Sequence, residues 1–147
     1  MLVATGSFDN GTPSLKFSLG GVGGEKEFTA VIDTGFSGFV SMPMIQAFPL
    51  GLPLYGTTTV TLADGKSQAK LVAHGKAQLS DKIQFGLVIL EGGSSDVLIG
   101  VDFLRRFGLA LLVMKARIAL YDEEQMQQAL QGIQDTNAEA ATGTTNP

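Results

Sequence analysis

A β-prone apolar run, Phe28-Thr29-Ala30-Val31-Ile32, ends on a carboxylate, Asp33. The chain then turns through Thr34-Gly35-Phe36-Ser37-Gly38 into a second apolar run at Phe39-Val40. A carboxylate at the end of a buried strand is costly to desolvate. A chain that puts one there must bring buried strands together around it and give the acid a partner or a task. Asp-Thr-Gly is also good turn chemistry, so the triplet on its own reads first as a structural turn. Its surroundings decide between the two.

Those surroundings are short strands cut by turns. Leu15, Phe17 and Leu19 alternate with Lys16 and Ser18, the period of a half-buried strand. Gly20 to Gly24 reads as a hairpin turn and Phe28 to Ile32 as the return strand. Pro43 to Phe48 is a short helix or loop, punctuated by Pro49, Gly51 and Pro53. Thr57 to Leu62 is rich in β-branched residues, as strands prefer. Asp64-Gly65 is a two-residue hairpin signal with Ser67 to Ala73 as the partner strand. A further hairpin is expected from Ala77–Leu79 to Gln84–Leu90, turning near Ser80-Asp81-Lys82. After a loop at Glu91 to Ser95, the wholly apolar Val97-Leu98-Ile99 predicts a buried strand. Phe103 to Phe107 predicts one or two helical turns, with Asp102 as the cap at its start and Gly108 just past its end. Leu109 to Met114 and Ile118 to Tyr121 are the last expected strands. The 19 glycines, roughly twice the average share, suit many turns and short strands.

From Asp122 the character changes. Glu123 and Glu124 open a helical stretch with Met126, Ala129, Leu130 and Ile133 at spacings of three and four; the acidic start complements the helix dipole. The expected organisation is therefore a β domain over 1–121, a helix over 122–134 and a disordered tail over 135–147, which is small and polar.

Hydrophobic residues make up 44% of the 147 and charged ones 16%, which predicts one ordered domain with a self-sufficient core. A net charge of −4 argues against nucleic acid or an anionic membrane surface as partner. The absence of cysteine excludes disulfides, thiolate chemistry and cysteine-built zinc sites. His74 is the sole histidine and reads as a strand or surface residue, which leaves Ser-His triads without support. The glycines at 21–24 lack the Lys-Ser/Thr and helix of a phosphate loop. The opening Met1-Leu2-Val3-Ala4-Thr5-Gly6 has no basic region and no long apolar stretch, so neither a signal peptide nor a membrane span is expected, and the cytoplasm is the expected location.

Three elements together carry a resemblance. Val31-Ile32-Asp33-Thr34-Gly35-Phe36-Ser37-Gly38 looks like the active-site loop of the aspartic peptidases. Asp96-Val97-Leu98-Ile99-Gly100-Val101-Asp102-Phe103-Leu104 is similar to their second signature, and Val60-Thr61-Leu62-Ala63-Asp64-Gly65 resembles their flap hairpin. The order and spacing are those of the family, over about Leu15 to Tyr121. Pepsin-sized members carry two such loops; this chain carries one. It therefore resembles the half-sized retropepsins, and most of all the single-domain bacterial type with an aromatic after the triplet. Where retropepsins and pepsins usually have Ala or Ser, this chain has Phe36.

The resemblance implies an all-β, closed, mostly antiparallel acid-protease barrel with one short helix and a helical C-terminal extension. It implies an aspartic endopeptidase acting on polypeptide as a homodimer, with Asp33 of each copy catalytic and no cofactor or metal. Thr34 and Gly35 would support the loop: Thr34 through hydrogen bonds between the two loops, Gly35 by letting backbone approach the carboxylates. Ala63, Asp64 and Gly65 would form the flap over the substrate, and Phe36 would border a substrate pocket or fill the core. Retropepsin dimers commonly interleave their terminal strands, whereas this chain continues past Tyr121 into a helix. That difference leaves a second reading, a catalytically silent module of the same fold for dimerisation or peptide binding.

Overall fold

The alternation of Leu15, Phe17 and Leu19 becomes strand β2 (Thr12–Gly21), and the run ending at Ile32 becomes β3 (Gly24–Ile32). They pair antiparallel across Leu15↔Ala30 and Phe17↔Phe28, so the apolar alternates of both strands turn to one side and are buried. This computed structural model describes residues 2–93 and 95–144.

The remaining strands are β1 (Leu2–Asp9), β4 (Val40–Pro43), β5 (Leu54–Thr61), β6 (Ser67–Leu79), β7 (Lys82–Glu91), β8 (Leu98–Ile99), β9 (Leu109–Val113) and β10 (Ile118–Asp122). The helices are α1 (Met44–Ala47), extended by a 3₁₀ turn at Phe48–Leu50, then α2 (Val101–Arg106) and α3 (Glu123–Thr144). The strands hydrogen-bond in the order β5-β6-β7-β4-β8-β3-β2-β1-β10-β9, and β6 pairs additionally with β2. Most pairings are antiparallel. Two are parallel, β3 with β8 and β4 with β7, so the sheet is mixed.

The parallel pairings arise where the chain crosses itself. β8 lies between β3 and β4, parallel to the first through Ile32↔Ile99 and antiparallel to the second through Val40↔Ile99. Val97 and Ile99 are buried on one face and Leu98 is half-buried on the other, which suits a run with no polar alternation. Phe103 then drops from α2 into the core, its ring centroid 5.4 Å from Phe17, 5.2 Å from Phe39 and 4.6 Å from Phe107. Truncating such a ring costs about 3–5 kcal/mol in typical cores. Phe103 thus fastens the segment after β8 beneath the Asp33 turn.

Several details depart from the sequence expectation. Residues 2–9 form a strand although their apolar residues do not alternate; β1 is held by pairing with β10 on one side and β2 on the other. At Gly6 a Cβ would run into the Ser14 carbonyl oxygen, so the close approach there needs glycine. The segments expected as separate strands at 67–73 and 77–79 are one continuous strand, β6. Its first half pairs with β5 and its second with β2, while β7 runs along its other side. The turn between β6 and β7 falls at Ser80-Asp81, with Ser80 at φ 57°.

Asp102 does not cap α2. The cap position is Gly100, without a side-chain cap bond, and Asp102 sits inside the first turn where it accepts from Arg106 Nε at 2.7 Å. Gly108, at φ 62°, ends the helix in the left-handed conformation that favours glycine. The last helix continues to Thr144, so the part of the expected tail from 135 to 144 is helical; residues 145–147, like Ser94 of the expected 91–95 loop, lie outside the described residues. The physical reason is propensity: 135–141 reads Asp-Thr-Asn-Ala-Glu-Ala-Ala, with three residues of the strongest helix former and no proline.

Candidate active site

Asp33 stands just past the end of β3, half-buried, where its position is set by backbone. Its N–H donates to the Ile99 carbonyl at 3.0 Å, prolonging the β3–β8 ladder by one bond. The chain then folds over on itself. Phe36 N–H donates to the Asp33 carbonyl at 3.1 Å, and Gly35 N–H donates to the Asp33 side-chain Oδ1 at 2.9 Å. An N–H aimed at a carboxylate oxygen orients it. A Cβ on Gly35 would sit 3.1 Å from that same oxygen, tighter than nearly all real contacts, so glycine suits this approach. Thr34 and Gly35 are exposed at the top of the turn.

The far side of the loop is clamped by the segment after β8. Gly100 N–H donates to Phe39 O at 3.2 Å, Val101 N–H to Phe36 O at 2.9 Å, and Asp102 N–H to Gly38 O at 3.2 Å. Three successive amides thus hold three carbonyls of the turn. The approach is so close that a Cβ on Gly100 would collide with the carbonyl oxygens of both Gly38 and Phe36. Phe36 completes the packing: a Cβ on Gly38 would lie 2.6 Å from its ring, and one on Gly100 2.7 Å from its Cδ2. The aromatic after the triplet therefore occupies the space that two glycines leave open, and is half-buried there.

The Asp64-Gly65 hairpin joins β5 to β6 and is exposed throughout Leu62 to Lys66. Gly65 N–H donates to Leu62 O at 2.9 Å, Leu62 N–H to Lys66 O at 2.7 Å, and Lys66 N–H to Asp64 Oδ1 at 2.9 Å. Asp64 thus serves the turn, and Gly65 supplies its φ of 83°. Between this hairpin's strands and the Asp33 loop lies a cavity of about 230 Å³, lined by Ser37 and Gly38 from the loop, Thr58 and Val72 from β5 and β6, and Arg106 from α2. Phe36 is not among its lining residues. On the other side of β3 a polar cavity of about 390 Å³ is lined by Thr29 and Val31, which share with Asp33 one side of the strand direction, and by Asp9 and Asp96.

Sequence reasoning did not single out Gly38, Gly100, Ser37, Thr58 or Arg106 as site residues. A glycine following Val97-Leu98-Ile99 was the available signal for Gly100, and membership of the loop that runs to Gly38 was the signal for Ser37 and Gly38; nothing local marks Thr58 or Arg106. His74 is exposed on β6, its ring edge-on to Tyr55 at 5.2 Å, far in sequence and in packing from the loop. Among the described residues no three His, Asp or Glu side chains converge as a metal site requires. No helix is long and apolar enough to cross a membrane among those described.

The sequence pattern of a family described as aspartyl protease matches residues 17–103, more than half of the chain. No curated protein matches the sequence. Among solved structures the chain is similar to a retropepsin-like aspartic protease from Rickettsia conorii, at 20% identity and a TM-score of 0.57, over 79% of this chain and 87% of that one. It is also similar to the EIAV protease complexed with the inhibitor HBY-793, at 16% identity and a TM-score of 0.55, over 70% of this chain and 93% of that one. At these identities the likeness is one of fold.

Proposed function

Because the chain belongs to the aspartyl protease family, we propose that it is an aspartic endopeptidase whose site is built by two copies, each supplying Asp33. The observation that carries this reading is the Asp33 turn itself. It is a carboxylate at a strand end, oriented by the Gly35 N–H and locked from below by the Gly100–Asp102 amides. A fold that only needed a turn would not require this degree of fixation around an acid.

In the proposed mechanism the two Asp33 carboxylates lie within about 3 Å and share one proton, because two like charges that close cannot both ionise. The ionised one takes a proton from a water, which attacks the scissile carbonyl; the protonated one donates to the carbonyl oxygen. The two titrate as one unit, so an activity profile reports the pair and neither residue singly. The polypeptide lies extended between the loop and the flap, with Ala63, Asp64 and Gly65 closing over it. Thr34 holds the two loops together. Phe36 acts from behind the loop, filling the space over Gly38 and Gly100. The cavity beside Ser37 and Thr58 takes a substrate side chain. No metal or organic cofactor enters these steps. The pairing of β2 with β6 supports reading the sheet as a closed barrel. Nucleic acid and membranes are not proposed as partners, and the proposed location is the cytoplasm.

The test is Asp33→Asn, an isosteric change that removes the acid. Cleavage of unstructured peptides at mildly acid pH should be abolished, with far-UV circular dichroism and melting temperature retained. Persistence of cleavage in a folded variant would refute the assignment. The catalytically silent alternative is favoured by one feature, the exposed Leu130 and Ile133 on α3. It predicts peptide binding with no turnover in the unaltered protein.

A further inference from the structure

Three apolar side chains stand in a row on the outer face of β7: Ile83, Phe85 and Leu87, of which Phe85 is 65% exposed. We propose, on the strength of the peptidase reading, that the substrate polypeptide runs on from the cavity beside Ser37 and Thr58 along this row. It there sets an apolar side chain in a second cavity, against Phe85.

Register puts both cavities on one face. In the β6–β7 ladder Val72 lies opposite Ile89, His74 opposite Leu87 and Lys76 opposite Phe85. Directly opposed residues share a face, and so do alternate residues of each strand. Val72, Leu87 and Ile89 line the cavity at the Asp33 loop. His74, Lys76 and Phe85 line the second cavity, of about 260 Å³. The lining thus passes from one cavity to the other without leaving the face. Ile89 and Phe85 are separated by about 13 Å of strand, which an extended peptide covers in about four residues.

The second cavity exists because a glycine interrupts a line of side chains. Gly20 lies opposite Glu25 on β3 and opposite Lys76 on β6, and Lys76 lies opposite Phe85 on β7. Glu25, Gly20, Lys76 and Phe85 therefore form one line across four strands, with a gap at Gly20. A Cβ there would stand 2.9 Å from the Gly24 carbonyl oxygen, so the close β2–β3 turn keeps the gap open. Val22, from that turn, and Phe85 wall the gap with apolar surface, while Glu25 and Lys76 offset each other in charge. Such surroundings suit an uncharged apolar or aromatic side chain.

The rest of the face sets the row apart. Over β2 and β3 the same face carries Lys16, Ser18, Glu25, Glu27 and Thr29, as a wetted sheet face should. Over β7 it turns apolar, and contiguous exposed apolar surface marks interaction sites. The row is also flanked. From the α2 side Arg106, which lines the first cavity, donates through Nη1 to the Phe85 carbonyl at 3.2 Å. From the β5 side Tyr55 stands edge-on to His74 at 5.2 Å. A polypeptide seated at the Asp33 loop reaches both cavities by staying extended, so the row is assigned to substrate and not to a second copy.

The test maps cleaved bonds by mass spectrometry on denatured, carboxymethylated serum albumin. One cleaved segment is then made as long peptides with serine at every position away from the scissile bond, and a single phenylalanine is moved outward through the serines. kcat/KM should show an inner maximum and, about four residues further out, a second one at least about tenfold above the all-serine peptide. Phe85→Ser, at an exposed position, should keep its melting temperature and lose the outer maximum alone. In parallel, fluorescein-labelled serine peptides carrying two phenylalanines at increasing spacing are titrated by anisotropy. The tightest binding should fall at a spacing of about four residues, and Phe85→Ser should abolish that preference. A single maximum, or an outer one that survives Phe85→Ser, overturns the groove and leaves the peptidase reading standing. A protein that cleaves nothing, yet shows the spacing preference and loses it in Phe85→Ser, keeps the groove and overturns the peptidase reading. One that shows neither overturns both. A Phe85→Ser variant that weakens self-association in sedimentation velocity, with peptide preferences unchanged, gives the row to a second copy and overturns the proposal.

Discussion

A methyl group at position 100 would overlap the carbonyl oxygens of Gly38 and Phe36, and neither can yield without moving the turn that carries Asp33. Backbone atoms give less than flexible side chains, so Gly100→Ala should destabilise by about 2–3 kcal/mol, as over-packing typically does. Activity should fall by more than the lost folded fraction explains, because the three amides of residues 100–102 position the loop. Urea denaturation and cleavage rates measured on the same sample check both halves. An alanine variant with unchanged urea midpoint would show that the clamp is not tight. The difference between Gly100 and Asp33 is also the difference in what sequence can display. Asp33-Thr34-Gly35 is legible because residue type carries its chemistry: an acid, a hydroxyl and a residue without Cβ. Phe36 is not, because its place depends on Gly38 and Gly100 leaving room for a ring, and Gly100 reaches it only after the chain has folded. The same argument covers Ser37, Thr58 and Arg106, which meet around one cavity from three different elements.

Helix α3 is fastened to the β domain through Asp122, which closes β10 and caps the helix. Its Oδ1 accepts from Gln125 N–H at 3.1 Å, and its Oδ2 accepts from Lys82 Nζ at 3.0 Å. The Lys82 hydrogen bond first, and the Gln125 amide second, hold its carboxyl below the ordinary value of 3.8. A depressed acid contributes stability that is present above the unfolded value and lost as pH falls through the folded one. Asp122→Asn keeps a good cap residue but removes the charge. Its urea midpoint should therefore lie below that of the unaltered protein near neutral pH, and the two should converge as pH drops below 3.8. Parallel curves over that range would show that the carboxylate is not coupled to folding. Elements were legible in the sequence where one face is buried and the other wet, as in β2 with Leu15, Phe17 and Leu19. β1 was not, since small residues at 4–7 give no alternation and the strand exists through its neighbours. The length of β6 was hidden because its two halves serve two different partners, so its pattern breaks at the middle although the strand does not.

In the proposed mechanism each chain supplies one catalytic carboxylate, so catalysis would be a property of the pair, and this can be tested without knowing the interface. Suppose Asp33→Asn chains fold and pair as freely as unaltered ones. In an equal mixture about one quarter of the dimers would carry two acids, by random pairing in a twofold-symmetric assembly. Set against the unaltered protein alone, activity from the same amount of active chains should then fall to about half, and to about one tenth with a roughly ninefold excess of the variant. The fall should develop at the rate at which subunits exchange, so activity is followed from the moment of mixing until it is constant. It should be absent when the two proteins are mixed and assayed before exchange begins. A chain that cleaves alone would be indifferent to the variant at any ratio. A heterodimer that kept half the activity would leave the mixture undiminished at equilibrium. It would mean that a single Asp33 suffices, contrary to the shared-proton mechanism, in which the second carboxyl is the donor to the carbonyl oxygen. The outcome depends on stoichiometry and not on any single contact, which makes it the most direct measure of whether the Asp33 turn, fixed as it is by Ile99, Gly35 and the Gly100–Asp102 amides, is half of a site or the whole of one.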